Sequence, residues 1–174
     1  MNRREVATFS AITALSIVLV PAEAAAQQKT LKEQLIGTWT LVSHEIIARD
    51  GAKTALFGAN PRGLLIFDAG GRYVQIQVRP DRPKFKANNR LEGTAEENKT
   101  ALAGGIGQFG TWSLNETDKS LILHEDGNVS YPNEEDTDQK RVVSLSSDDL
   151  KVLIGLGDGG KIELVYRRAK SKPN

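Results

Sequence analysis

The chain has 174 residues, 39% of them hydrophobic and 26% charged, with 23 basic against 22 acidic side chains and a net charge of +1. So even a balance argues against nucleic acid or an anionic membrane surface as a partner. The lack of cysteine excludes a disulfide framework, a lipoprotein anchor and any thiolate metal ligand or nucleophile.

Residues 1–26 read as an export signal. Arg3 and Arg4 form a positive start, residues 6–20 an apolar run too short to span a bilayer comfortably, and Pro21 breaks it ahead of Ala22-Glu23-Ala24-Ala25-Ala26. Cleavage is expected after Ala26, with Ala24 as the alternative. A twin-arginine route would use Arg3-Arg4, but Val6-Ala7-Thr8 supplies little of the hydrophobic residue expected behind the pair, so the general secretory route is favoured. This leaves residues 27–174 as one domain, without a membrane span once the signal is removed, in the periplasm or outside a bacterial cell.

Residues 27–34 form a polar, helix-tolerant lead-in. Strand-like segments then follow at 39–48, 63–68, 72–79, 109–114, 120–125, 139–146, 150–156 and 161–168. Between them stand turn residues such as Arg49-Asp50-Gly51-Ala52, Ala69-Gly70-Gly71, Ser147-Asp148-Asp149 and Gly157-Asp158-Gly159-Gly160. One insertion interrupts the series. It holds a basic, proline-broken stretch, residues 79–86, and a helix that Thr94-Ala95-Glu96-Glu97 caps and Gly104-Gly105 ends near Ala103. Such an excursion is either a functional lid or a variable loop.

Eight or nine short strands with hairpin turns and no alternating helices predict an all-β antiparallel, up-and-down meander. Left open, it would present two unpaired edges, so closure into an eight-stranded barrel is expected. A barrel of that size either fills with side chains or holds one small ligand.

Several segments carry a resemblance. They are Leu35-Ile36-Gly37-Thr38-Trp39-Thr40-Leu41-Val42-Ser43, Asn60-Pro61-Arg62-Gly63-Leu64-Leu65-Ile66-Phe67 and Gln75-Ile76-Gln77-Val78-Arg79-Pro80-Asp81-Arg82-Pro83. Further on come Phe109-Gly110-Thr111-Trp112, Ser130-Tyr131-Pro132-Asn133 and Thr137-x-Gln139-x-Arg141. In these the chain resembles the bacterial lipocalin-like domain proteins, single-domain relatives of the calycin barrels. The resemblance implies a small lipocalin-like barrel with a pocket, to which the capped segment adds one short inserted helix, and it supplies neither a ligand nor catalytic residues. It also implies that the Trp39 indole plugs one end, with Arg167 or Arg168 of the last strand laid over it as a cation–π partner.

Strict alternation places Leu41, Ser43, Glu45 and Ile47 on the face of Trp39, and Thr40, Val42, His44 and Ile46 on the other. That puts Glu45 inside, although the cost of burying a carboxylate favours a place near a solvated rim. Gly105-x-Gly107-x-x-Gly110 matches a dinucleotide fingerprint by letter, but a helix precedes it and a strand follows, the reverse of what phosphate binding needs. It reads as a glycine-rich turn. His44 and His124 are the only histidines and lack metal-ligand spacing, so neither metal nor cofactor is expected.

Candidate ligand contacts are Arg79, Phe85, Trp112, His124, Tyr131, Gln139, Arg141 and Glu45. The first function expected is an exported, monomeric binding barrel for a small, mostly apolar or amphipathic molecule. An alternative is a pocket enzyme of the isomerase or cyclase type, with His124 or Glu45 as its acid–base group. A second is a protein-interaction module with a filled barrel and an exposed apolar patch beside Phe85.

Overall fold

The computed structural model describes residues 29–170; the expected signal, residues 1–26, lies outside the described residues. No described helix is long and apolar enough to cross a membrane. A short helix α1 (Leu31–Leu35) precedes nine strands: β1 (Gly37–Ile47), β2 (Lys53–Ala55), β3 (Arg62–Phe67), β4 (Arg72–Val78), β5 (Gly105–Asn115), β6 (Ser120–Asn128), β7 (Asp138–Ser146), β8 (Asp149–Gly155) and β9 (Lys161–Arg168). A second helix, α2 (Ala95–Ala103), lies between β4 and β5. Its start has the expected chemistry: Thr94 accepts from the Glu97 backbone and Glu97 reaches back to Thr94.

The strands follow the order β2-β1-β3-β4-β5-β6-β7-β8-β9, and β1 also pairs with β9. That pairing closes β1 and β3–β9 into an eight-stranded antiparallel barrel, which removes the edges an open meander would leave. β2 is an addition that pairs only with Glu45, Ile46 and Ile47 at the far half of β1. Sequence pattern missed it because three exposed residues, Lys53-Thr54-Ala55, carry no alternation.

Register sorts the loops into two ends. Gly37 pairs with Phe67, and Trp39 with both Leu65 and Arg168. Helix α1, the tight turns after β3, β5 and β7 and the end of β9 therefore share one end. The insertion, residues 79–104, the loop at 129–137 and the β8–β9 turn share the other.

The first end is sealed. Trp39 is fully buried and its indole N–H donates to the Leu35 carbonyl at 2.8 Å. Trp112 belongs to this end too, packed 4.9 Å from Phe67 and donating to the Asp68 carbonyl. Leu35, Leu41, Leu121, Leu150 and Tyr166 extend this core into the barrel. Trp112 is thus part of the plug, and its expected place in a pocket is corrected.

Two β-bulges set which residues face inward beyond the plug. On β1 the pairing with β9 runs Leu41↔Tyr166 and then Ser43↔Val165, leaving Val42 as an extra residue. The face therefore flips: Trp39, Leu41 and His44 are buried, and Glu45 turns outward to a 2.9 Å ion pair with Lys53. On β6 the pairing with β5 skips Asp126, so Glu125 and Asn128 both face inward. Gly110 sits opposite, where a Cβ would collide with the His124 carbonyl oxygen. The expected glycine-rich turn is instead the first half of β5, an eleven-residue strand.

Candidate functional site

Beyond the plug the barrel encloses a cavity of about 320 Å³ toward its other end. At roughly 30 Å³ per molecule, that is the liquid volume of about ten waters. It falls at the small end of ligand pockets. The barrel is not filled by its own side chains.

The cavity has two unlike walls. One is polar and comes from β4 to β7: Gln75, Gln108, Asn128, Gln139 and Arg141, with His44 of β1 joining them. The other is apolar and comes from β8, β9 and the turn between them: Ile154, Leu156, Ile162 and Leu164. Ser130, Tyr131 and Glu134 of the 129–137 loop stand at the mouth, Tyr131 being 55% exposed.

β4 explains how the polar wall arises. It buries Tyr73, Gln75 and Gln77 and turns Val74 and Ile76 outward, half exposed. Apolar side chains outside and amides inside invert the usual assignment for a half-buried strand. Gln75 pairs across with Gln108, and Gln108 with Asn128, so three amides form a row over three strands.

Hydrogen bonds fix the deeper members. Gln77 donates from Nε2 to the Tyr166 hydroxyl at 2.7 Å, so its carbonyl faces His44 Nδ1 at 2.6 Å. His44 Nδ1 then donates, and Nε2 keeps a lone pair. Phe57 meets the imidazole edge-on at 5.5 Å. Burial holds His44 below its ordinary 6.5; the Gln77 bond opposes this and the charge of Arg141 adds to it. The Tyr73 and Tyr166 hydroxyls are pushed up by burial and stay protonated.

Arg141 and Glu125 are a buried pair that does not close. Their nearest approach is 3.6 Å, with Arg141 6% and Glu125 0% exposed. Glu125 is held elsewhere: its Oε2 accepts from Asn128 Nδ2 at 2.7 Å. Asn128 in turn accepts the backbone N–H groups of Ser130 and Tyr131. His44 Nε2, Gln108 Nε2, Glu125 Oε1 and Arg141 Nε have no hydrogen-bond partner among the described residues. Burial raises Glu125 above the ordinary carboxylate range; the Asn128 bond opposes, Glu134 raises it further and Arg141 lowers it.

Of the candidates from sequence, the cavity gathers Tyr131, Gln139 and Arg141. The others stand elsewhere. Arg79 is exposed and paired with Asp81 at 2.9 Å. Phe85 packs within the insertion, against Gly93. His124 points outward and meets Asp138 at 2.8 Å. Glu45 is outside because of the β1 bulge. Neither acid–base candidate reaches the cavity, so the enzymatic alternative loses both named groups. No residue of the insertion lines the cavity; α2 lies instead on the outer wall, with Ala101 and Leu102 beside Ile76, Val78 and Val129.

Sequence reasoning missed His44, Gln75, Gln77, Gln108, Glu125 and Asn128. Gln75-x-Gln77 on one strand, with Gln108 opposite, was the available signal, since amides at period two share a face. The histidine and Asn128 depend on bulges and left no such trace. At the sealed end, Arg168 lies over Trp39, its guanidinium carbon 4.1 Å from the ring centroid, whereas Arg167 points outward to Asp149 at 2.8 Å.

Comparison with known proteins adds the lineage. No curated protein matches the chain. Among solved structures, a redesigned β barrel aligns at 15% identity over 78% of this chain and 92% of its own, with a TM-score of 0.39. A point variant of the fluorescent protein UnaG aligns at 15% identity over 81% of this chain and all of its own, with a TM-score of 0.38. The sequence model of the lipocalin-like domain matches residues 36–162, most of the barrel, and the chain belongs to that family.

Proposed function

We propose that this protein is an exported binding barrel for a small amphipathic molecule. The observation that carries the reading is the cavity's division into a wall of amides, His44 and Arg141 and a facing wall of Ile154, Leu156, Ile162 and Leu164. A few placed polar groups against an apolar surface orient one ligand by its two faces. Of the mostly apolar or amphipathic ligands expected from sequence, the amphipathic kind suits the lining better, because a ligand without polar groups would bury Arg141 and Gln108 donors against hydrocarbon. A filled interaction module lacks its premise, since the interior is not filled. Export rests on the residue 1–26 pattern, and supports a periplasmic or secreted place of action.

Two measurements test this. Native mass spectrometry and thermal shifts against a panel of amphipathic metabolites of ten to twenty heavy atoms should find binders. Ile154→Phe, which fills the apolar side, should abolish that binding and leave the melting transition cooperative. Binding that survives the filled cavity would place the ligand elsewhere. For export, N-terminal sequencing of the protein recovered outside the cytoplasm should begin at Gln27; an intact Met1 would remove that part.

A further inference from the structure

We propose that the ligand of this barrel presents a carboxylate, and that Arg141 receives it by exchanging Glu125 for the incoming anion. The inference rests on the reading of the barrel as a binding protein and names the chemistry its polar wall selects.

The geometry of the pair is the starting point. A guanidinium and a carboxylate buried together normally form parallel hydrogen bonds of about 2.7–2.9 Å. Arg141 and Glu125 stop at 3.6 Å, and Arg141 Nε and Glu125 Oε1 both lack partners among the described residues. Asn128, anchored by the 129–137 loop, keeps Glu125 from closing the gap. Arg141 therefore stands in the cavity wall with its fork unspent, and Gln108 Nε2, which lines the same cavity with only the Tyr73 hydroxyl near it and no well-formed hydrogen bond among the described residues, is a second donor. Donors that converge on a cavity call for an acceptor-rich group, and a planar carboxylate fits a guanidinium fork better than any neutral carbonyl.

An added anion must also be balanced. Glu125 faces Arg141 from β7, the Tyr73 hydroxyl from β4, and Glu134 and Glu135 from the loop; His44 of β1 faces Arg141 and is neutral. Two carboxylates cannot both stay ionised on one buried cation at low cost. As the ligand carboxylate engages Arg141, Glu125 takes a proton from solvent onto its free oxygen and becomes a neutral acid, still bonded to Asn128. The exchange leaves the net charge of the site unchanged: one anion enters and one is neutralised.

The test is isothermal titration of the full protein with ω-phenylalkanoates of two to five methylene groups and with the matching amides, in phosphate and in Tris. Acids should bind roughly tenfold or more tightly than amides, because a charge-assisted hydrogen bond exceeds a neutral one by at least that factor. The apparent enthalpy should differ between the buffers, reporting proton uptake. Glu125→Gln should abolish the buffer difference and keep the acid preference. Arg141→Met should remove the acid preference, and Arg141→Lys, which keeps the charge and guards against a folding failure, should retain only part of it. Equal binding of acids and amides overturns the carboxylate and leaves the binding reading standing; a buffer difference that persists in Glu125→Gln overturns the exchange. If neither series binds, the binding reading itself falls.

Discussion

Arg168 is at once the lid on the Trp39 indole and a cap for the chain leading into β1. Its guanidinium lies 4.1 Å from the ring centroid while Nη2 donates to the Gln34 carbonyl at 2.6 Å and Nη1 to that of Ile36 at 3.4 Å. Gly37, at φ 130°, lets the backbone turn beneath it, and a Cβ there would come within 3.4 Å of Nη1. One side chain thus ties the last strand to the first across the sealed end.

Arg168→Ala should therefore cost about 2–3 kcal/mol, from a partly desolvated cation–π contact and charged hydrogen bonds to carbonyls that lose their partner. Arg167→Ala removes only an exposed pair with Asp149 and should leave the unfolding midpoint close to that of the parent protein. Urea unfolding of both variants checks this. Equal losses would show that the seal does not depend on Arg168.

The outline of the barrel was legible in the sequence, and the reasons are specific. Turn chemistry at Ala69-Gly70-Gly71 and Gly157-Asp158-Gly159-Gly160, with alternating runs between, marks hairpins without any tertiary information. The site was not legible in the same way. A strand's inward face is read by counting in twos, and one extra residue reverses every assignment after it. Val42 does this to β1, so counting put Glu45 inside and His44 outside, the opposite of what is found. On β4 no bulge intervenes and the hydrophobic rule is what fails: Val74 and Ile76 face out while Gln75 and Gln77 are buried inside.

The β6 bulge has its own dependence on glycine. At Gly110 an added Cβ would strike the His124 carbonyl oxygen and approach the Asp126 nitrogen at 2.9 Å, both rigid backbone atoms. Gly110→Ala should cost several kcal/mol, on the order of 3 or more, or shift the bulge and displace Glu125 and Asn128. Gly155, where a Cβ would meet nothing within 4 Å, is the control and should tolerate alanine within about 0.5 kcal/mol. Thermal unfolding separates the two, and a mild Gly110→Ala would mean that the strands can part there.

Acid and alkali should act on the barrel through different interior groups. His44 is held below 6.5, so the unfolded chain binds its proton more readily. Stability from this residue is complete above pH 6.5 and is lost as pH falls through its folded value. Glu125 has the opposite sign: held above 4.5, it contributes fully below that pH and its contribution is lost as pH rises through its folded value. Stability measured across pH 4–8 should therefore flatten on the acid side in His44→Gln and on the alkaline side in Glu125→Gln. A profile unchanged in both variants would show that neither group titrates with unfolding.

Gln77 holds His44 and Tyr166 together, and the arrangement predicts a definite non-additivity. Gln77→Leu strands the His44 Nδ1–H and the Tyr166 hydroxyl in a buried setting and should cost about 2–4 kcal/mol. Tyr166→Phe alone strands only Gln77 Nε2 and should cost about 1–2 kcal/mol. In the double variant the Tyr166 hydroxyl is no longer present to be stranded, so the combined loss should fall short of the sum by about 1 kcal/mol. Denaturant unfolding of the four proteins closes the cycle. Strict additivity would mean that the bond between Gln77 and Tyr166 adds nothing to the fold, and that the orientation of the Gln77 amide, with the lone pair it leaves on His44 Nε2, is not imposed by Tyr166.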